Sequence, residues 1–168
     1  MTMLFYLTAA VALLATALAI TRQDAVHALL YLVVSLLAVA LVMFLLGAPF
    51  AAALEVIVYA GAIMVLFLFA VMLLGRGPAR TQGLSGRPSG WIGPALLAAL
   101  LLAELLTLLG SGTPAGMTAG PVYPRVVGLS LYGPYLLAVE LASLLLLAGV
   151  VGAWYLGRPL SARQEKQP

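Results

Sequence analysis

Glu55-Val56-Ile57-Val58-Tyr59-Ala60-Gly61-Ala62-Ile63-Met64-Val65-Leu66-Phe67-Leu68-Phe69 is an apolar run that carries one carboxylate, one phenol and one glycine close together. Its apolar character extends from Ala51 to Leu74 and ends at Gly75-Arg76-Gly77-Pro78. Crossing a bilayer as a helix takes roughly 20 apolar residues, so 51–74 predicts a transmembrane helix. Gly47-Ala48-Pro49 precedes it, and before that lies another apolar run, from Ala25 to Leu46. A turn so short predicts that the two helices pack as an antiparallel hairpin.

Working outward, three further stretches qualify: 3–20, ended by Arg22 and Asp24; 91–109; and 134–156. The prediction is an all-α polytopic membrane protein with five transmembrane helices in a single integral membrane domain, residues 1–168. Composition agrees. Of 168 residues, 64% are hydrophobic and 8% charged, too few charges to cover a soluble surface. Two longer linkers, Gly75 to Gly90 and Gly110 to Gly133, are rich in glycine and proline and read as loops. In the second, Val126, Val127, Leu129, Leu131 and Tyr132 suit a membrane surface or a partner.

Loop charge sets the orientation. With five spans, Arg22, Arg76, Arg80, Arg87, Arg158, Arg163 and Lys166 share one side, and Arg125 stands alone on the other. The basic side is normally cytoplasmic, which places the amino terminus outside and the carboxyl terminus inside. Ala17-Leu18-Ala19 has the form of a cleavage site, but no basic residue precedes the first apolar run. That segment is expected to be retained.

Several function classes drop out. Cysteine is absent, which removes disulfides, thiolate chemistry and cysteine-held iron–sulfur clusters. One histidine, His27, cannot build a metal site alone. No phosphate-binding loop, dinucleotide fingerprint or nucleophilic constellation is present. No Lys/Arg cluster is interleaved with aromatics, so nucleic acid is not a partner.

The polar residues inside the spans carry what chemistry there is. At 1.5 Å rise per residue, Glu55, Glu104 and Glu140 lie roughly 6–9 Å below the outer boundary of their helices. Such carboxylates face a bundle interior or a wet cavity. They belong to a proton route, or they orient helices and bond to partner subunits. For Glu104 and Glu140 the structural role is favoured. None lies at the midplane, so the chain alone does not supply a complete path across the bilayer. Tyr59 follows Glu55 by four residues and shares its face on an α-helix. A buried phenol holds a water, bonds to another chain's carboxylate, or fills space. Ala60-Gly61-Ala62 strips bulk from the helix centre, for which close helix approach is the common reason. Gly61 also lowers the cost of a kink or π-bulge, which frees a carbonyl.

On the second helix, His27, Tyr31 and Ser35 form a weak polar stripe at four-residue spacing. Arg22, Asp24 and His27 suit a small polar cluster at the cytoplasmic edge. Trp91, Trp154 and Tyr155 suit interfacial anchors.

Leu54 to Leu74, LEVIVYAGAIMVLFLFAVMLL, closely resembles the third-helix signature of the J subunit (chain 6 in mitochondria) of proton-pumping NADH–quinone oxidoreductase, respiratory complex I. The polar turn before His27-Ala28-Leu29 and the hairpin through Gly47-Ala48-Pro49-Phe50 fit the same pattern. Gln23-Asp24 replaces the Asn-Pro that relatives often carry before the second span. The resemblance is strong over 22–74 and elsewhere lies mainly in layout.

The resemblance implies a multi-pass, hetero-oligomeric subunit of the bacterial inner (cytoplasmic) membrane, in the membrane arm near the quinone-reducing arm. Its neighbours would be the small K-type, A-type and quinone-site H-type subunits. NADH, FMN, the iron–sulfur clusters and quinone would sit on partner subunits, with no cofactor on this chain. It further implies a third helix able to hold a π-bulge around Gly61. Conversion between bulged and regular forms would open or close a hydrated proton link, with Tyr59 and Gly61 at the gate and Glu55 tuning its outer part. Val65, Leu66 or Phe67 would block the water file in one state. The rival readings are a homologous subunit of a multisubunit cation/proton antiporter or membrane-bound hydrogenase, a purely structural membrane-arm subunit, and a free-standing transporter. Against the last stand the missing internal repeat and the lack of a midplane carboxylate.

Overall fold

The computed structural model describes residues 2–74, 89–110 and 122–157. Every regular element among the described residues is helical: α1 (Thr2–Thr21), α2 (Ala25–Leu45), α3 (Pro49–Leu54), a π-helical segment (Glu55–Ile63), α4 (Met64–Leu74), α5 (Ser89–Gly110), α6 (Pro124–Leu131) and α7 (Leu136–Leu156). Five spans are long and apolar enough to cross a membrane: α1, α2, the continuous Pro49–Leu74 helix, the Trp91–Gly110 part of α5, and α7. These are the five expected spans, with ends moved by a residue or two.

The chain divides into two compact units at Tyr123/Pro124. In the first unit α2 is central, packing against α1, α3, the π segment, α4 and α5, while α1 also reaches α5. Its core joins Val11 and Ala15 of α1, Val34, Ala38, Leu41 and Leu45 of α2, and Leu101 and Leu108 of α5. Ala15 and Ala38 are completely buried. Lipid tails are as apolar as leucine, so membrane helices gain from close backbone approach, which small residues permit.

Hydroxyls fasten the α1–α2 contact. Thr16 Oγ1 lies 2.6 Å from Ser35 Oγ and bonds to the Ala12 carbonyl at 2.8 Å. Ser35 Oγ also approaches that carbonyl at 3.3 Å.

The α2–α3 turn follows from glycine. Gly47 adopts φ 87°, a left-handed conformation open to a residue without Cβ. Gly47 N–H then bonds to the Phe44 carbonyl at 3.1 Å and Ala48 N–H to the Met43 carbonyl at 3.0 Å. This is the Schellman arrangement that satisfies the last carbonyls of a helix. Pro49 opens α3, where its missing N–H costs no helical bond. Val122 N–H caps the Gly47 carbonyl at 3.0 Å.

In the second unit a short helix, α6, contacts α7. The Gly110–Gly133 linker is therefore not all loop. Pro124 supplies the favoured first residue of α6, and eight residues with Gly128 inside are too few to show a period. A turn at residues 132–135 joins α6 to α7. Any side chain at Gly133 would strike the Leu129 carbonyl, at 2.7 Å from the added Cβ. Of the Gly75–Gly90 linker, residues 75–88 lie outside the described residues, as do Arg76, Arg80, Arg87, Arg158, Arg163 and Lys166.

Candidate functional site

The third span changes winding at its first carboxylate. From Glu55 to Ile63 the backbone is π-helical, with α-helix on either side, and Met64 N–H bonds to the Tyr59 carbonyl five residues back. Most π-helix occurs as single-turn bulges, frequently at functional sites; here it extends over nine residues. It encloses Glu55, Tyr59 and Gly61, and Val65 lies in the first turn of α4 beyond it.

Gly61 has a local reason to be glycine. A Cβ there would stand 3.3 Å from the Val56 carbonyl oxygen, five residues back, with no other atom of a neighbouring helix within 4 Å. Gly61 and Ala62 are exposed in this chain. The small residues of Ala60-Gly61-Ala62 therefore do not serve a close helix contact among the described residues. The π winding itself accounts for the glycine.

The π segment is open on one side. Tyr59 is 49% exposed and Val65 47%, while Glu55 is half-buried. Among the described residues neither the Glu55 carboxyl nor the Tyr59 hydroxyl has a hydrogen-bond partner, and the two side chains do not bond to each other. π winding bonds an N–H to the carbonyl five residues back, which sets the Tyr59 carbonyl against Met64 N–H and brings the Val56 carbonyl up to Gly61. On the inner side, Val56, Ala52 and Ala53 face α2 and α5 across a cavity of about 550 Å³, lined also by Leu37, Leu41 and Leu101.

Glu104 lies elsewhere. It is 5% exposed and bonded at 2.8 Å to Thr8 Oγ1, so it ties α5 to α1. Thr8 was not among the residues singled out from the sequence. Depth is the signal that points to it. Thr8 stands six residues from the start of α1 and Glu104 six from the end of α5, about 9 Å in each case. Glu140 is exposed on α7, in the second unit.

The His27–Tyr31–Ser35 stripe faces inward. Tyr31 is 2% exposed, takes a hydrogen bond from Arg22 Nη2 at 3.3 Å, and has the guanidinium 5.2 Å above its ring. Gly93 makes room for it, since a Cβ there would collide with the Tyr31 hydroxyl. His27 Nδ1 is 3.7 Å from Asp24 Oδ2, and its ring meets Trp91 edge-on at 5.9 Å. The expected Arg22–Asp24–His27 cluster is thus divided: Asp24 with His27, and Arg22 with Tyr31. No group of His, Asp and Glu able to hold a metal occurs among the described residues.

Residues 3–156 match the family model described as NADH-ubiquinone/plastoquinone oxidoreductase chain 6. The chain is 57% identical over 158 residues to NADH-quinone oxidoreductase subunit J of Pseudomonas aeruginosa, covering 92% of this chain and 95% of that one. It is 50% identical over 156 residues to the subunit J of Escherichia coli K12, covering 92% and 85%. The Rhodobacter capsulatus subunit J is 38% identical over 160 residues, covering 89% and 77%. With five apolar spans, a Schellman-capped hairpin and a π-wound third helix, the chain belongs to the NADH-ubiquinone/plastoquinone oxidoreductase chain 6 family.

Proposed function

We propose that this chain is a membrane-arm subunit of a proton-translocating NADH–quinone oxidoreductase in the bacterial inner membrane, and that its third span gates a hydrated proton path. In this reading the amino terminus faces outward and the carboxyl terminus the cytoplasm. The K-type, A-type and H-type subunits are its neighbours. The chain carries no redox centre; nicotinamide, flavin, iron–sulfur and quinone chemistry belong to partners.

The observation that carries the gate is the π winding of Glu55–Ile63. A π segment holds one more residue between its bonded groups than an α-helix does. Returning it to α register moves everything beyond it by one residue, about 100° of rotation. Val65, Leu66 and Phe67, all exposed beyond the π segment, then swing between facing a water file and leaving it. Tyr59 offers an exposed phenol that binds water or a neighbour's carboxylate. Gly61 allows both windings, because no Cβ crowds the Val56 carbonyl. Glu55 places a negative charge at the outer end of the path.

Two variants test this in the intact complex. Tyr59→Phe is expected to lower proton uptake per NADH oxidised while leaving complex content near normal. Gly61→Leu is expected to lower both. Normal uptake in both variants overturns the gate and leaves a structural role. Imaging the third span at rest and during turnover supplies a second test: a π segment and ordered water in one state only support the gate, and an unchanged dry helix removes it.

A further inference from the structure

Helix α6 stands where α7 enters the membrane. As a 21-residue span, α7 is about 32 Å long, close to the ~30 Å hydrocarbon core, so its first residue, Leu136, marks one boundary of the bilayer. Only the turn at residues 132–135 separates Leu136 from Leu131, the last residue of α6.

That turn is held from within. Tyr132 N–H donates to the Gly128 carbonyl at 3.0 Å, Tyr135 N–H to the Ser130 carbonyl at 3.1 Å, and Leu136 N–H to the Gly133 carbonyl at 3.2 Å. Pro134 fixes one backbone angle, and Gly133 stands too close to the Leu129 carbonyl to carry a side chain. An elbow braced in this way keeps α6 at the level of the first turn of α7.

The surface that α6 presents at this level is apolar on one side. At about 100° per residue, an arc runs from Leu129 through Val126, Ser130 and Val127 to Leu131. Arg125, Pro124 and Gly128 make up the rest of the circumference. Val127 and Ser130 are half-buried, whereas Val126 is 58% exposed and Leu129 64%. Ser130, the one polar residue of the arc, donates its hydroxyl to the Val127 carbonyl at 2.8 Å, so the arc offers no unmet polar group. Tyr132 and Tyr135 are exposed in the turn beside it. The arc continues onto α7, which has no buried residue.

An apolar arc, a basic residue at its edge and tyrosines alongside, all at the depth where a span begins, is the make-up of a helix lying in a bilayer surface. We propose that α6 is such a helix and that its partner is the phospholipid surface. Val126 and Leu129 enter the boundary of the acyl chains, Tyr132 and Tyr135 sit among the headgroups, and Arg125 reaches toward lipid phosphates. Through the braced elbow, α6 sets the depth at which α7 crosses. This does not depend on the third span acting as a gate.

Spin labels test the proposal in the intact complex, reconstituted into phospholipid vesicles. This chain has no cysteine of its own, and native complex treated in the same way gives the background from other subunits. Labels at Val126→Cys and Leu129→Cys are expected to collide severalfold more with oxygen, which concentrates in hydrocarbon, than with a water-soluble nickel chelate. A label at Gly128→Cys, where nothing lies within 4 Å of an added Cβ, is expected to show the reverse. Preference for nickel at Val126 and Leu129 puts the arc in water and overturns the proposal. Immobilised labels that meet neither reagent put it against protein, and the same preference at all three positions removes the surface orientation; either result also overturns it. Leu129→Trp keeps the test open should the labels disturb assembly. Vesicles of brominated lipid are expected to quench the added fluorescence, and its persistence at full intensity overturns the proposal.

Discussion

Glu104 and Glu55 sit at similar depth in two faces of one compact unit, and their settings differ. Glu104 is enclosed by α1, α2 and α5, and one of its oxygens is bonded. Glu55 begins the π segment, half-buried and without a partner among the described residues. The contrast extends to the helices around them. Where α1, α2 and α5 meet, the hydroxyls of Thr8, Thr16 and Ser35 all bond across helices, and Ala15 and Ala38 bring backbones together. Along the π segment and α4, large side chains face outward and the Tyr59 hydroxyl bonds to none of the described residues. Hydrogen bonds between helices mark the packed side, and the open side presents large side chains and an unbonded phenol to whatever surrounds the chain in the membrane.

If that division is right, substitutions on the two sides should fail differently. The largest effect on assembly is expected from Gly93→Leu, because the added side chain collides with buried Tyr31. Overpacking of this kind costs about 1–3 kcal/mol or more, and blue-native gels should show a severalfold loss of assembled complex. Thr8→Val should come next, since it leaves buried Glu104 unbonded at a cost of about 1–3 kcal/mol; the readout is a lower dissociation temperature of the purified complex. Ser35→Ala is expected to cost only about 0.6 kcal/mol, typical for an interhelical hydrogen bond in a membrane, and Thr16 keeps its bond to Ala12. Tyr59→Phe should fall within about 0.5 kcal/mol of native stability yet depress proton uptake. Should Tyr59→Phe dissociate the complex as readily as Thr8→Val, the two sides would not differ in kind.

Much of this architecture was legible in the residues. The spans follow from apolar length, and the hairpin from Gly47-Ala48-Pro49, whose glycine takes the left-handed φ and whose proline opens the next helix. Gly61 left two readings, close helix packing as the common one and a local distortion beside it, and the structure follows the second, since no helix packs on it among the described residues. Other features left little trace. The nine-residue extent of the π winding depends on backbone register, which composition does not encode. Helix α6 went unread because eight residues containing proline and glycine resemble a loop. Thr8 was passed over because periodicity describes one helix at a time, and its partner lies 96 residues away. Comparing depths across helices of opposite direction is what brings Thr8 and Glu104 together.

The π winding also bears on how the span fits its bilayer. Pro49–Leu74 is 26 residues long, against 20 or 21 for each of the other four spans. Wound entirely as α-helix it would reach about 39 Å, well beyond the ~30 Å hydrocarbon core. Wider π turns take up more residues per unit of axial length, so the segment shortens a helix that would otherwise overshoot. Reverting to α would therefore lengthen the span as well as rotate its end. Under the proposed gate, membrane thickness would act on the balance between the two windings: a thinner bilayer would hold the compact form and a thicker one would favour the extended form.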